Sequence, residues 1–294
     1  MKYAIFIGCT IPVRGLNYEI SARKVLSSLG IELVDIPEFT CCGFPLKSIS
    51  HEASILMTAR NLALAEAKGL PILTLCNACT VTMAEAKHEL DHNPELKERI
   101  NSKLENLFGL RYEGKVQVKH FARILYEDFG LDNLKNFIKR PLHELRVAPH
   151  YGCHFVRPKE AYGEFDDPED PKSLDELVRV TGAEPIPHRH KHYCCGGGVL
   201  GVREQTAYSM AKKKLDGAKE AGADAIISIC PFCSVMFEGN QKKIEKTFNV
   251  KYKLPVIYYS QLLGLAMGFT PDELGFSLNR VKPKALLAKL GFSK

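Results

Sequence analysis

The chain has 294 residues, 45% hydrophobic and 25% charged, with a net charge of +6, the proportions of a globular protein with room for two domains, each able to bury a core. No apolar run approaches the ~20 residues needed to span a bilayer. The basic residues are scattered, with no basic tail or recognition pattern, which excludes nucleic acid as the expected partner.

The opening Met1–Cys9 is too short in apolar residues for a secretory signal, whose core needs roughly 7–15. It reads as a buried strand, and the expected location is the cytoplasm, where thiols stay reduced. In chain order, a strand over 3–7 precedes a helix over 17–29 closed by Gly30. A strand over 31–35 leads to Cys41-Cys42-Gly43 and a helix over 49–68, closed by Gly69. A strand over 71–75 runs into Cys76 and Cys79 of a CxxC, followed by a helix over 80–92. Residues 131–144 read as a linker. The order then recurs, with helices over 174–181, 203–221 and 234–247, and residues 270–294 form a tail outside the repeats. Alternating strands and helices predict an α/β fold: two tandem Rossmann-like domains with parallel sheets, at 1–136 and 137–294, related by internal pseudo-symmetry. In such sheets ligands gather at the carboxyl ends of strands, where Cys9, Cys76, Cys153 and Cys230 fall.

All ten cysteines belong to the repeat. The first set is Cys9, Cys41, Cys42, Cys76 and Cys79, and the second is Cys153, Cys194, Cys195, Cys230 and Cys233. Each reads Gly-Cys, Cys-Cys-Gly, CxxC. The second set has the longer first gap, 40 residues against 31, mostly through an acidic, proline-bearing insertion from Glu164 to Pro171.

Four readings compete for these cysteines. Disulfides suit neither a reducing compartment nor adjacent cysteines, and inert thiols do not explain a doubled pattern. Zinc is the rival metal, because CxxC is a common half-site, yet zinc wants four ligands and each set offers five. Ordinary iron–sulfur cubanes also take four, so the surplus points to a larger or irregular cluster. Strand ends before helices present N–H groups to an anionic centre, and Gly43 and Gly196-Gly197-Gly198 let backbone approach closely. The glycine triplet could also cradle a phosphate, but the rest of a phosphate-loop pattern is missing.

The doubled Cys-Cys-Gly pattern, with Cys9-Thr10-Ile11-Pro12 and Cys194-Cys195-Gly196-Gly197, resembles the CCG-domain family and, within it, the B subunits of heterodisulfide reductases of methanogenic archaea. The resemblance covers about residues 1–269. It implies two noncubane 4Fe-4S clusters, one held by each five-cysteine set. The implied substrate is the mixed disulfide of coenzyme M and coenzyme B, reduced to the two free thiols in methanogenesis. It further implies a pocket between two centres, one-electron delivery and capture of each sulfur by an iron. Electrons would come from a ferredoxin-like C subunit and a flavin-bearing A subunit, with a hydrogenase or formate dehydrogenase further upstream.

The substrate is anionic, so cations are expected at the pocket: Arg14 and Arg157, each shortly after the first cysteine of its set. His154 adjoins Cys153 and is the candidate proton donor, because histidine as a residue type titrates near neutral pH. The run His188-Arg189-His190-Lys191-His192 reads as a solvated or pocket-edge loop, and Lys212-Lys213-Lys214 as a helix face. Val281–Leu290 is a candidate partner helix or a segment packed on its own domain. Two other functions remain open: a CCG subunit of another oxidoreductase, serving lactate or glycolate oxidation or thiol-linked fumarate reduction, and a zinc-stabilised or electron-relay module.

Overall fold

A computed structural model describes residues 1–292. Among them, eight strands form two four-stranded, all-parallel sheets. The first contains β1 (Lys2–Phe6), β2 (Glu32–Asp35), β3 (Ile72–Thr74) and β4 (Val118–His120), in the order β2-β1-β3-β4. The second contains β5 (Arg146–His150), β6 (Glu184–Pro185), β7 (Ala225–Ser228) and β8 (Val256–Tyr258), in the order β6-β5-β7-β8. Chain order reverses beside β1 and again beside β5, which leaves a crevice beyond the carboxyl ends of β1 and β3 and of β5 and β7. Cys9 and Cys76 follow the first pair, and Cys153 and Cys230 the second.

Strands β1, β3, β5, β7 and β8 are buried on both faces, and their alternation feeds two cores. Tyr3, Ile5, Leu73, Val147, Ile227 and Ile257 enter one, whereas Ala4, Phe6, Ile72, Ala148, Ile226 and Val256 enter the other. Both cores therefore draw on both repeats. The join is specific: Tyr18, on the helix Leu16–Ser28, stacks on Tyr258 with ring centroids 4.1 Å apart and 8° between planes. Beside it Ser21 Oγ lies 2.6 Å from Ser260 Oγ, and Asn17 Nδ2 donates to Asn279 Oδ1 at 3.2 Å.

The helix that carries Cys76 and Cys79 spans Asn77–His92, with Cys76 as its N-cap, so it starts earlier than the sequence pattern indicates. Another helix, Pro94–Phe108, lies beyond the elements read from the sequence; Asn93 caps it by accepting from Leu96 N at 3.0 Å, and proline opens it. In the second repeat, the expected helix over 234–247 is broken into Pro231–Ser234, a π-helical turn at Val235–Gly239 and Gln241–Phe248. The segment 131–144 is not a loose tether: Leu134 and Leu142 are fully buried in the shared core. The C-terminal helix Lys284–Lys289 likewise buries Leu286 and Leu290 against its own chain. Among the described residues, no helix is long and apolar enough to cross a membrane.

Candidate metal centre

All ten cysteines are free thiols. Their side chains form one continuous file. Cys9 neighbours Cys41, Cys41 neighbours Cys42, Cys42 neighbours Cys79, and Cys79 neighbours Cys76. Cys76 Sγ then lies 3.8 Å from Cys230 Sγ. From there the file runs through Cys233, Cys195 and Cys194 to Cys153, the last two sulfurs 3.9 Å apart. The sequence of contacts is the same from either end, so the two quintets meet at their CxxC motifs. Cys42, Cys76, Cys79, Cys195, Cys230 and Cys233 are buried; Cys9 is exposed, and Cys41, Cys153 and Cys194 are half-buried.

Aromatic side chains from the two repeats also meet beside the file. Phe44, two residues past Cys42, sets its ring edge-on to His154, the neighbour of Cys153, at 5.9 Å between centroids, and to Phe232 of the second CxxC at 6.2 Å. Aromatic residues from both repeats thus border the accessible sulfurs.

Charge is distributed along the file by sulfur-to-sulfur hydrogen bonds. Cys42 accepts from Cys41 and Cys79, which holds its pKa down to about 4 despite burial. Burial pushes Cys230 up, but bonds from Cys233 and Cys76 outweigh it and hold the thiol well below its ordinary value. Cys194 is lowered by Cys153 and then Cys195. Each of these three sulfurs lies between two thiols whose own pKa values are raised. Nucleophilic, metal-ligating thiolate is the form of cysteine that such a setting favours.

Each repeat positions the other's ligands. Asn77 Nδ2, beside Cys76, donates to the carbonyl of Tyr151 at 2.7 Å. Tyr18 OH and His120 Nε2 both reach the carbonyl of Ile229, the residue before Cys230, at 3.1 and 3.0 Å. Because His120 Nδ1 accepts from Ala122 N at 3.1 Å, its Nε2 carries the proton and donates. Desolvation holds that imidazole neutral, with its pKa down to about 4. The CCG glycines act through close approach: a Cβ on Gly43 would stand 2.7 Å from the Ser54 carbonyl oxygen, and one on Gly196 would stand 2.8 Å from that of Ala207. Both have φ near +90°, which favours glycine.

The donor set fits an iron–sulfur group. Five thiols per repeat lie side by side, at the switch points of two parallel sheets and ahead of helix N-termini. Among the described residues, no group of three or more His, Cys, Asp or Glu side chains is arranged to hold a single metal ion. A row of thiols suits a centre with several metal atoms better than a tetrahedral zinc.

The remaining candidates are placed as follows. His154 is half-buried beside Cys153, and its carbonyl accepts from Tyr162 OH at 2.7 Å. Arg14 ends the short helix Ile11–Arg14, exposed and without an ion pair among the described residues. Arg157 is drawn into the acidic insertion, pairing with Glu169 Oε1 at 3.0 Å and donating to the Pro168 carbonyl. The 188–192 run borders a cavity of about 620 Å³ together with Asp170, Asp175 and Arg179. Lys214 departs from the helix-face reading: Lys213 is exposed, but Lys214 is fully buried. Only alignment of the repeats, which sets it on a core-facing position of its helix, could have singled it out.

A family model described as a cysteine-rich domain, CCG, matches residues 3–84 and 147–238. The chain is 39% identical over 293 residues to the B subunit of the ferredoxin/F(420)H(2)-dependent CoB-CoM heterodisulfide reductase of Methanosarcina acetivorans, covering 98% of this chain and 97% of the relative. It is 33% identical over 279 residues to the 8-methylmenaquinol:fumarate reductase membrane anchor subunit of Wolinella succinogenes, covering 95% and 96%. A crystal structure of a hypothetical protein from Helicobacter pylori shares the fold with a TM-score of 0.78 at 20% identity; the match covers 96% of this chain and 52% of that one. With two CCG matches and near full-length likeness to such relatives, the chain belongs to the CCG cysteine-rich family, among the heterodisulfide reductase B subunits.

Proposed function

We propose that the chain is the catalytic B subunit of a heterodisulfide reductase, reducing the coenzyme M–coenzyme B disulfide to two thiols with two noncubane 4Fe-4S clusters, one per domain at 1–136 and 137–294. The observation that carries this reading is the single file of ten free thiols. Cys9, Cys41, Cys42, Cys76 and Cys79 would hold one cluster, and Cys153, Cys194, Cys195, Cys230 and Cys233 the other. When bound, such clusters supply one-electron redox chemistry.

The chain's own groups then have defined tasks. Disulfide reduction takes two electrons and two protons and yields two thiols. His154, beside Cys153 and against Phe44, would give a proton to a leaving sulfur. Phe44 and Phe232 screen that place from water. Arg14 would offer a guanidinium that is unpaired among the described residues to an anionic coenzyme, and Arg157 a second one held by Glu169. Electrons would arrive from a ferredoxin-like C subunit and a flavin-bearing A subunit, since the chain contains no ordinary ferredoxin motif.

Anaerobic purification followed by iron and acid-labile sulfide analysis tests the reading. About eight irons per chain are expected for two four-iron clusters, together with turnover of the heterodisulfide by a one-electron donor. Zinc with little iron would overturn it. The 33% identity to a fumarate reductase subunit favours a second reading, a CCG subunit of another oxidoreductase; full iron without heterodisulfide turnover would select it.

A further inference from the structure

The two repeats hold their CCG loops with corresponding helices but different side chains. On the helix His51–Ala67, Ser54, Thr58 and Asn61 share one buried face at helical spacing. They donate to the carbonyls of Gly43, Cys42 and Cys41 at 3.0, 2.6 and 3.0 Å, and Asn61 Oδ1 accepts from Thr40 N at 3.0 Å. The offset that carries Cys41-Cys42-Gly43 onto Cys194-Cys195-Gly196 carries these three residues onto Ala207, Ala211 and Lys214 of the helix Glu204–Glu220. The matching approaches of Gly43 to Ser54 and of Gly196 to Ala207 confirm that register in space. Two hydroxyl donors become methyl groups, and the neutral amide becomes an amine.

Lys214 is 0% exposed. Its Nζ donates to the carbonyl of Lys191, which the adjoining loop brings within reach because Gly217 has no Cβ to strike the Arg189 carbonyl. Among the described residues no carboxylate pairs with it; the neighbouring Asp175 is bound to Lys191 at 2.8 Å. A buried ammonium without a counter-ion is strongly disfavoured. Burial pulls its pKa down to about 7, and Lys191 adds to that, while the nearby sulfurs of the second set, Cys233, Cys195 and Cys194, push it back up.

We propose that Lys214 is a positioning residue, the built-in countercharge of the second five-cysteine centre, and that it makes the two centres electronically unequal. An added electron makes a cluster more negative, and a fixed cation in a low-dielectric interior favours that state. The second centre is thus reduced at the higher potential, because the first has neutral Asn61 at the same position. This inference rests on the iron–sulfur reading.

The test is an EPR-monitored redox titration of the anaerobically purified chain, with the second centre's signal assigned by its loss in Cys153→Ser. In Lys214→Met and Lys214→Asn the second midpoint should move down towards the first, with the first unmoved, and Lys214→Arg should restore it. Full iron with unmoved midpoints in the neutral variants overturns the inference. If both neutral variants lose the second centre, Asn61→Lys decides by whether it raises the first midpoint; no rise overturns it. Wild-type chain without iron would instead overturn the cluster reading itself.

Discussion

The sulfurs of Cys76 and Cys230 lie 3.8 Å apart, buried, each from the N-cap of its own CxxC helix. Two sites that are 154 residues apart in the chain are therefore neighbours at their deepest point. If each set still holds its own cluster, Cys230→Ser should leave the first centre intact and reduce iron to roughly half. Loss of nearly all iron on elemental analysis would mean that the two sets assemble as one unit.

His154 is half-buried against Phe44, not among the buried sulfurs. His154→Ala should slow thiol release about a hundredfold, the usual scale for a lost general acid, with iron content unchanged. Single-turnover thiol measurements on iron-replete enzyme check this, and unchanged turnover would remove its catalytic role.

The two arginines differ in what they can offer. Arg14 is exposed and unpaired among the described residues, whereas Arg157 is held by Glu169 and the Pro168 carbonyl. Arg14→Ala should raise KM for the anionic disulfide roughly tenfold with little change in kcat. Steady-state kinetics at fixed ionic strength will show whether KM moves alone.

Because both cores draw on both repeats, residues 1–136 and 137–294 expressed separately should not fold, and the whole chain should unfold in a single transition. Tyr18→Ala removes the stack on Tyr258 and the bond to the Ile229 carbonyl and should cost about 3–5 kcal/mol. Two resolved transitions in denaturant would contradict a shared core.

Glu238 accepts from Arg280 N and Val281 N on one oxygen at 2.9 and 3.3 Å, pinning the tail. Burial raises its pKa from 4.5 to about 7, even though these bonds lower it. A raised carboxyl favours the protonated fold, so its contribution is fully present below about pH 4 and is lost as pH rises through 7. Glu238→Gln keeps one oxygen for both bonds and removes the ionisation. It should gain about 2–3 kcal/mol at pH 8 and little at pH 4, read from urea midpoints at the two values.

The alternation of apolar runs with helical periods was sufficient for parallel sheets, because a βαβ chain reports its own periodicity. The two quintets were equally legible, since ligand spacing is local within each motif. The π-turn at Val235–Gly239 was not, because hydrogen-bond shifts inside a helix leave the apolar pattern nearly unchanged.

By itself, then, the sequence determined a doubled α/β chain with five thiols at each set of strand ends, and that the sets match. Tertiary structure alone decided that the sets touch through Cys76 and Cys230, that Tyr18 and His120 of one repeat orient the other's CxxC, and that Lys214 is inside. Contacts between repeats depend on how two sheets are docked, and burial of one lysine in a run of three depends on helix rotation. Neither is written in local spacing; each follows from packing the whole chain.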